Sequence, residues 1–140
     1  MSTRSLLSIV FLGLGLPAFI LYSTFFKSGT GELKPIPDLQ RYQAEIPGLS
    51  NQNYQIEDVI DEGGVLRVNA WLRQSAEGDQ EIEMQTLNLL YDVLNYTTKQ
   101  FSISIWMYRS QQKLRSELLG LAFFRALTGK TVYRDARALQ

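Results

Sequence analysis

An uncharged hydrophobic stretch near the start of the chain differs from everything that follows it. It runs from Ser5 to Phe26 and reads SLLSIVFLGLGLPAFILYSTFF. A helix of this length would be about 33 Å long, which is enough to cross the hydrocarbon core of a bilayer. Aromatic residues gather at its end and Lys27 follows, as is typical of a membrane interface. The pattern predicts a membrane anchor over 1–26, with a transmembrane helix over 5–26.

A cleaved signal peptide and a buried soluble helix are the two alternatives to an anchor. The hydrophobic core exceeds the length of about 7–15 residues that is usual for a signal peptide, and only a poor cleavage site, Gly29-Thr30-Gly31, follows it. We therefore expect a single-pass membrane protein. Basic residues flank the segment almost equally, and the short head before it favours an extracytoplasmic domain.

Small residues make the middle of this segment a candidate site for packing against another membrane helix. Gly13 and Gly15 remove side chains, and Pro17 cannot donate a backbone hydrogen bond, which favours a bend. The glycines lack the GxxxG spacing of a strong packing motif. The general abundance of glycine and proline in membrane helices is therefore an equally simple explanation.

Residues 27–53 are rich in proline, glycine and polar residues, which is typical of a linker. Within it, the segment 38–46 predicts a short helix with Asp38 as its N-cap. Leu39, Tyr42 and Ile46 would share one face of that helix. Because such a short helix needs packing to persist, we expect it to lie on the following domain or at the membrane surface.

Hydrophobic alternation predicts three strands in the remaining domain, residues 54–140. The first two form a hairpin over 54–73 that turns at 61–64, and the clearest strand is VLRVNAWLR, whose even-numbered residues should face the core. The third strand covers 101–108. Its sequence, FSISIWMY, alternates in the same way.

Helical spacing predicts two helices in the same domain, over 79–98 and 112–127, and leaves the tail 131–140 as a short strand or helix. The fold class is therefore α+β, with an N-terminal transmembrane helix followed by a small ββαβα domain. Its sheet of about three strands would carry the helices on one face. The strands on either side of the first helix could be antiparallel, or a parallel pair joined by a crossover.

Charge is balanced over the whole chain, with 14 basic and 14 acidic residues, but it is unevenly placed. Residues 27–98 carry 5 basic and 12 acidic side chains, whereas residues 99–140 carry 8 and 2. The two halves either neutralise each other in the fold or form a surface with one acidic and one basic side.

The absence of histidine and cysteine excludes several kinds of site. Structural zinc sites, cysteine-ligated iron–sulfur clusters and histidine- or cysteine-ligated haem need these residues. The acidic residues near the hairpin turn and at the start of the helix over 79–98 lack the spacing of a calcium loop. Gly129-Lys130-Thr131 lacks the other glycine and the strand of a phosphate-binding loop. We therefore assign no catalytic residue, metal or cofactor.

Two groups of residues are candidates for binding. Basic side chains in the C-terminal quarter could contact lipid or an acidic protein surface, or pair within the fold; the neutral overall charge argues against nucleic acid. Alternation also places aromatic and arginine side chains on the outer sheet face, where they suit protein binding unless the last helix or the segment 38–46 covers them. The basic residues are Lys113, Arg115, Arg125, Lys130, Arg134 and Arg137. The outer-face residues are Arg67, Asn69, Trp71, Arg73, Trp106 and Tyr108.

These features favour a non-catalytic accessory or assembly subunit of a larger membrane complex, in contact with lipid and with an integral membrane protein. The observations behind this hypothesis are the hydrophobic anchor, the small domain and the lack of a catalytic constellation. A membrane-tethered module that binds a small ligand or peptide is the alternative. An enzyme that uses carboxylates is the third hypothesis, with Glu57, Asp58 or Asp61 as its test positions.

Overall fold

The structure is a computed structural model that describes residues 35–73, 78–112 and 117–136. The predicted transmembrane helix over 5–26, with Gly13, Gly15 and Pro17, lies outside these ranges. Within them, no helix combines the length and the hydrophobicity needed to cross a bilayer.

The described chain begins with a helical segment that packs onto the domain. Helix α1 spans Leu39–Glu45 and continues into a 3-10 helix, Ile46–Leu49. Tyr42 and Ile46 are buried, so the predicted short helix exists and lies on the domain. Asp38 does not cap it as expected, because its backbone is left-handed, with φ 59°, and its side chain makes no cap hydrogen bond.

A five-stranded mixed sheet forms the centre of the α+β domain, so the predicted three strands are too few. The strands lie in chain order across the sheet, and every neighbouring pair is antiparallel except β2–β3, which is parallel. Helix α2, Asp79–Thr97, connects that parallel pair. The strands are β1 Tyr54–Glu62, β2 Val65–Leu72, β3 Ile103–Tyr108, β4 Leu118–Arg125 and β5 Lys130–Asp135.

The predicted hairpin is confirmed as β1 and β2. Its loop is Gly63-Gly64, and both residues have positive φ, 65° and 90°, as a two-residue turn of this hand requires. The even-numbered residues of β2 are buried, as the alternation predicts. In β1, a register irregularity between Ile56 and Asp58 shifts the alternation by one residue.

The predicted last helix over 112–127 is wrong, because strand β4 lies there. β4 lies between β3 and β5, and both of its faces are buried: Leu119 and Phe124 belong to one hydrophobic cluster, Leu121 and Phe123 to another. A strand buried on both faces is hydrophobic at every position, and periodicity cannot distinguish it from a buried helix. Gly129 lies in the β4–β5 turn, with φ 72°.

Both described helices pack against the same face of the sheet. The sequence predicted helices on one face, but its second helix was 112–127, and α1 lies on that face instead. Helix α2 contributes Ile82, Leu89, Leu90 and Val93 to the main core, where they meet the buried residues of the strands. Tyr42 of α1 packs edge-on against the rings of Tyr96 and Phe101. The residues of this first face include Ile56, Val59, Leu66, Val68, Ala70, Ile103, Ile105, Met107, Ala122 and Phe124.

Tyr54 joins the first strand to helix α2. Its side chain is fully buried, and its hydroxyl donates a hydrogen bond of 2.7 Å to Oδ2 of Asp92. Burial, with the nearby carboxylate, raises the pKa of the Tyr54 phenol well above its ordinary value near 10. The folded state therefore favours the protonated phenol.

Replacing Gly120 tests the packing of β4 against β5. A Cβ at this position would lie 2.6 Å from Oη and 2.9 Å from Cε1 of Tyr133. We expect Gly120→Ala to lower the free energy of unfolding by about 1–3 kcal/mol through overpacking. Urea denaturation of the full-length protein in a mild detergent, followed by far-UV circular dichroism, measures this change. Gly48→Ala is the control, since nothing lies within 4 Å of that Cβ, and an equal loss in both variants would contradict the expectation.

The raised pKa of Tyr54 predicts a loss of stability at alkaline pH. Above pH ~10 the phenol ionises in the unfolded chain but stays protonated in the fold, so rising pH favours unfolding by up to about 1.4 kcal/mol per pH unit. Tyr54→Phe lacks this contribution, and its stability should fall less steeply between pH 9 and 11 (approximate limits set by that pKa). Urea denaturation across this range measures both slopes, with the exposed Tyr91→Phe as control. Parallel slopes for wild type and Tyr54→Phe would refute the assignment.

Candidate functional site

The face of the sheet opposite α1 and α2, here called the second face, carries its own hydrophobic cluster. Trp71 and Trp106 are half-buried and pack against this cluster. No residue of the described helices belongs to it. The two covers expected from the sequence are therefore excluded, because α1 lies on the other face and the last helix is strand β4. The cluster consists of Val65, Tyr108, Leu118, Leu121, Phe123 and Ala136.

Arg67 lies at the centre of the polar part of the second face. Its guanidinium carbon is 3.6 Å from the centre of the Trp106 ring, a close cation–π contact. Its Nε donates to Oδ1 of Asn69 at 3.0 Å, its Nη1 to Oε2 of Glu62 at 3.2 Å and its Nη2 to the Tyr108 hydroxyl at 3.3 Å. Each nitrogen of the guanidinium is therefore held by a different residue.

Further hydrogen bonds extend this network across strands β1, β2 and β3. Asn69 donates from Nδ2 to Oδ1 of Asp58 at 2.7 Å, and these two residues are direct cross-strand partners. Trp106 donates from Nε1 to the Ser104 hydroxyl at 3.2 Å. The register places Asn69 beside Trp106 and Trp71 beside Tyr108 in the parallel pair. We call Asp58, Glu62, Arg67, Asn69, Trp106 and Tyr108 the Arg67 network.

The electrostatics of the Arg67 network suit binding and positioning. The Arg67 side chain is 18% exposed and that of Glu62 is 38% exposed, so the ion pair is only partly desolvated. A guanidinium offers several N–H donors and no acceptor, so Arg67 can orient neighbours that carry acceptor oxygens. Among the residues that the structure describes, no group of three or more potential ligands could hold a metal ion.

The structure brings most of the predicted outer-face residues together. Arg67, Asn69, Trp106 and Tyr108 belong to one network, and Trp71 packs beside them. Arg73 does not join them, because its Nε donates to the backbone oxygen of Asn51 at 2.7 Å and its Nη2 to the Gln55 side chain.

Sequence reasoning missed the two carboxylates of the network, Asp58 and Glu62. The bulge after Ile56 decides which β1 side chains reach the second face, and simple alternation along β1 does not reveal it. The acidic run near the turn was the available signal, but no pattern in the sequence pairs it with Arg67.

The predicted basic patch is only partly described. Arg125, predicted to lie in the last helix, is the final residue of β4. Lys130 and Arg134, at the start of and within the unassigned tail, lie on β5. Arg125 pairs with Lys130 in the register, and Leu121 pairs with Arg134, so the alternation places all three on the second face near its β5 edge. Lys113, Arg115 and Arg137 lie outside the described ranges.

Substituting Arg67 by lysine tests the network. Lysine keeps the charge but loses the planar fork that contacts Asn69, Glu62 and Tyr108 together. We expect Arg67→Lys to lower the free energy of unfolding by about 2 kcal/mol, which is typical for the loss of a hydrogen bond to a charged group. Urea denaturation of the full-length protein measures this loss. Arg134→Lys is the control, since Arg134 is exposed and its Nη1 donates to the backbone oxygen of the adjacent Tyr133; similar losses in both variants would argue against the network.

Comparison of the chain with protein-family models, curated proteins and solved structures found no match. The second face, with its two tryptophans and the Arg67 network, is the candidate interaction surface.

Proposed function

We propose that this protein is a non-catalytic, single-pass membrane accessory subunit that binds an integral membrane partner through the second face. The observation behind the proposal is the distribution of hydrophobic side chains between the two sheet faces. Both described helices cover one face, yet the other also carries a cluster of leucine, phenylalanine, tyrosine and tryptophan. Sheets stabilise such a face by packing it against another layer.

The composition of the second face suits a protein partner. Tryptophan, tyrosine and arginine are enriched at the energetic centres of protein interfaces. Here Trp71, Trp106 and Arg67 are half-buried around a hydrophobic base, and the Arg67 network restrains two of the three side chains. Side chains that are already ordered lose less conformational entropy when a partner binds.

Charge across the second face gives the partner an orientation. Asp58 and Glu62 lie on the β1 side of the face, whereas Lys130 and Arg134 lie on the β5 side. A complementary partner would present basic groups towards β1, acidic groups towards β5 and a hydrophobic centre between them. Such a pattern fixes the docking direction more than it adds affinity.

Trp71→Ala provides the sharpest test of the proposal. Among the described residues the Trp71 indole nitrogen has no hydrogen-bond partner, so the substitution removes contact surface but spares the Arg67 network. The full-length protein would be tagged at its C-terminus, extracted from its native membrane in a mild detergent and sized under native conditions. We expect wild type to migrate in a stoichiometric complex with a membrane protein, and Trp71→Ala to weaken that complex by about 30-fold, as for an interface hot spot.

Tyr91→Ala is the matched control. It removes an exposed aromatic side chain from α2, on the opposite layer, and should leave the complex intact. Both variants must keep the wild-type circular dichroism spectrum. A wild-type protein that migrates alone, or equal loss of the complex in both variants, would refute the proposal.

A photocrosslinker placed at Trp71 that links only to the same chain would show instead that an internal segment occupies the second face. A thermal shift caused by a small ligand or peptide would favour the alternative binding module.

A further inference from the structure

Several loops meet at one end of the sheet, here called the proximal end. The turn Gly63-Gly64 lies there. Strands β2 and β3 both begin there, because Leu66 and Ile103 are parallel partners near their first residues. The β4–β5 turn, 126–129, lies at the same end, because Phe124 pairs with Ile103. The described N-terminus is also there: the backbone nitrogen of Ile36 donates to Oδ2 of Asp61 at 3.1 Å.

The β4–β5 turn presents a hydrophobic side chain to solvent. Leu127 is 66% exposed, the highest value among the large hydrophobic residues that the structure describes. The turn itself is well held: Gly129 N donates to the Arg125 oxygen at 2.8 Å, and Ala126 N donates to the Ser102 hydroxyl of the neighbouring strand at 3.0 Å. The leucine is therefore displayed by a fixed loop.

Two exposed lysines lie at the same end of the sheet as this leucine. Of the acidic groups there, Asp61 and Glu62 are hydrogen-bonded within the fold and Asp38 is exposed. Lys130 begins β5 directly after the turn, Lys99 lies in the connection between α2 and β3, and both are exposed. Asp61 accepts hydrogen bonds from Ile36 and Gly64 nitrogens, and Glu62 pairs with Arg67. The proximal end thus offers cations and a hydrophobic tip together, a combination that suits an anionic lipid surface.

The length of the connecting chain selects the proximal end as the one that faces the membrane. Residues 27–35 separate the hydrophobic segment from Ile36 and span at most about 30 Å when fully extended. Strand β1, nine residues long, is itself about 30 Å. The opposite end of the sheet could reach the bilayer only if the whole connection were stretched along β1. The proximal end needs no such extension.

We propose that the β4–β5 turn is a membrane-contact loop, in which Leu127 enters the lipid interface while Lys99 and Lys130 bind anionic headgroups. This inference rests on the membrane tether of the proposed function. The contact is weak on its own, because one leucine and two lysines make a small footprint. It acts on a domain that is already held at the surface, and it sets the orientation of that domain.

Single-cysteine labelling tests the loop directly, since the natural chain has no cysteine. The full-length protein would carry an environment-sensitive fluorophore at Ala126→Cys, which keeps Leu127. The protein would be reconstituted in vesicles of phosphatidylcholine and phosphatidylglycerol that contain lipids with brominated acyl chains. Met84→Cys is the matched control, because Met84 is an exposed hydrophobic residue near the opposite end of α2. Ile9→Cys reports on the tether itself.

The expected result is several-fold stronger quenching at position 126 than at position 84. Adding Leu127→Glu should reduce the quenching at 126 to the level at 84. Replacing the anionic lipid by phosphatidylcholine should weaken the quenching at position 126. Unchanged quenching in vesicles without anionic lipid would refute the headgroup contact.

The other outcomes separate the two proposals. Quenching at position 9 without quenching at 126, or equal quenching at 126 and 84, would overturn the membrane-contact loop and leave the tether intact. An absence of quenching at position 9 would overturn the tether, and with it this inference.

Discussion

The structure depends on one constraint: a sheet has two faces, and both described helices pack against the same one. Helix α2 joins two parallel neighbours, so it must cross the sheet on a single face, and α1 lies beside it. Yet β4 is hydrophobic on both sides, with Leu121 and Phe123 directed away from the helices. The second face therefore carries a buried hydrophobic cluster that no described helix covers, and the half-buried tryptophans beside it are the basis of the proposed interaction.

The sequence predicted the elements whose pattern is set by one buried and one polar face. Strand β2 alternates because only its even-numbered residues enter the main core, and α2 shows helical spacing because one side of it packs on the sheet. Pattern reasoning failed at β4 because both of its faces are buried and the alternation disappears. The pair Phe123-Phe124, which favours a strand, and Gly120, which disfavours a helix interior, were the available local signals.

The candidate site was predictable to a similar extent and for related reasons. Arg67, Asn69, Trp106 and Tyr108 lie on two strands that were both recognised, so alternation alone placed them on a common face. Their direct contact needed the parallel register, in which Asn69 stands beside Trp106. The carboxylates of Asp58 and Glu62 needed the bulge in β1 as well. Tertiary register and local backbone irregularity are properties that composition and periodicity do not encode.

The two proposed contacts are geometrically compatible. If the proximal end of the sheet rests on the bilayer, the strands run away from the membrane, because all five begin or end there. The second face then points sideways, parallel to the membrane plane, where the extramembrane part of a neighbouring membrane protein would lie. A tether alone would leave the domain free to turn, and a partner would meet the second face in only a fraction of orientations. A membrane-contact loop at Leu127 removes part of that freedom before binding, which lowers the entropic cost of association. The Arg67 network acts in the same direction on a smaller scale, since it orders the side chains that the partner would meet.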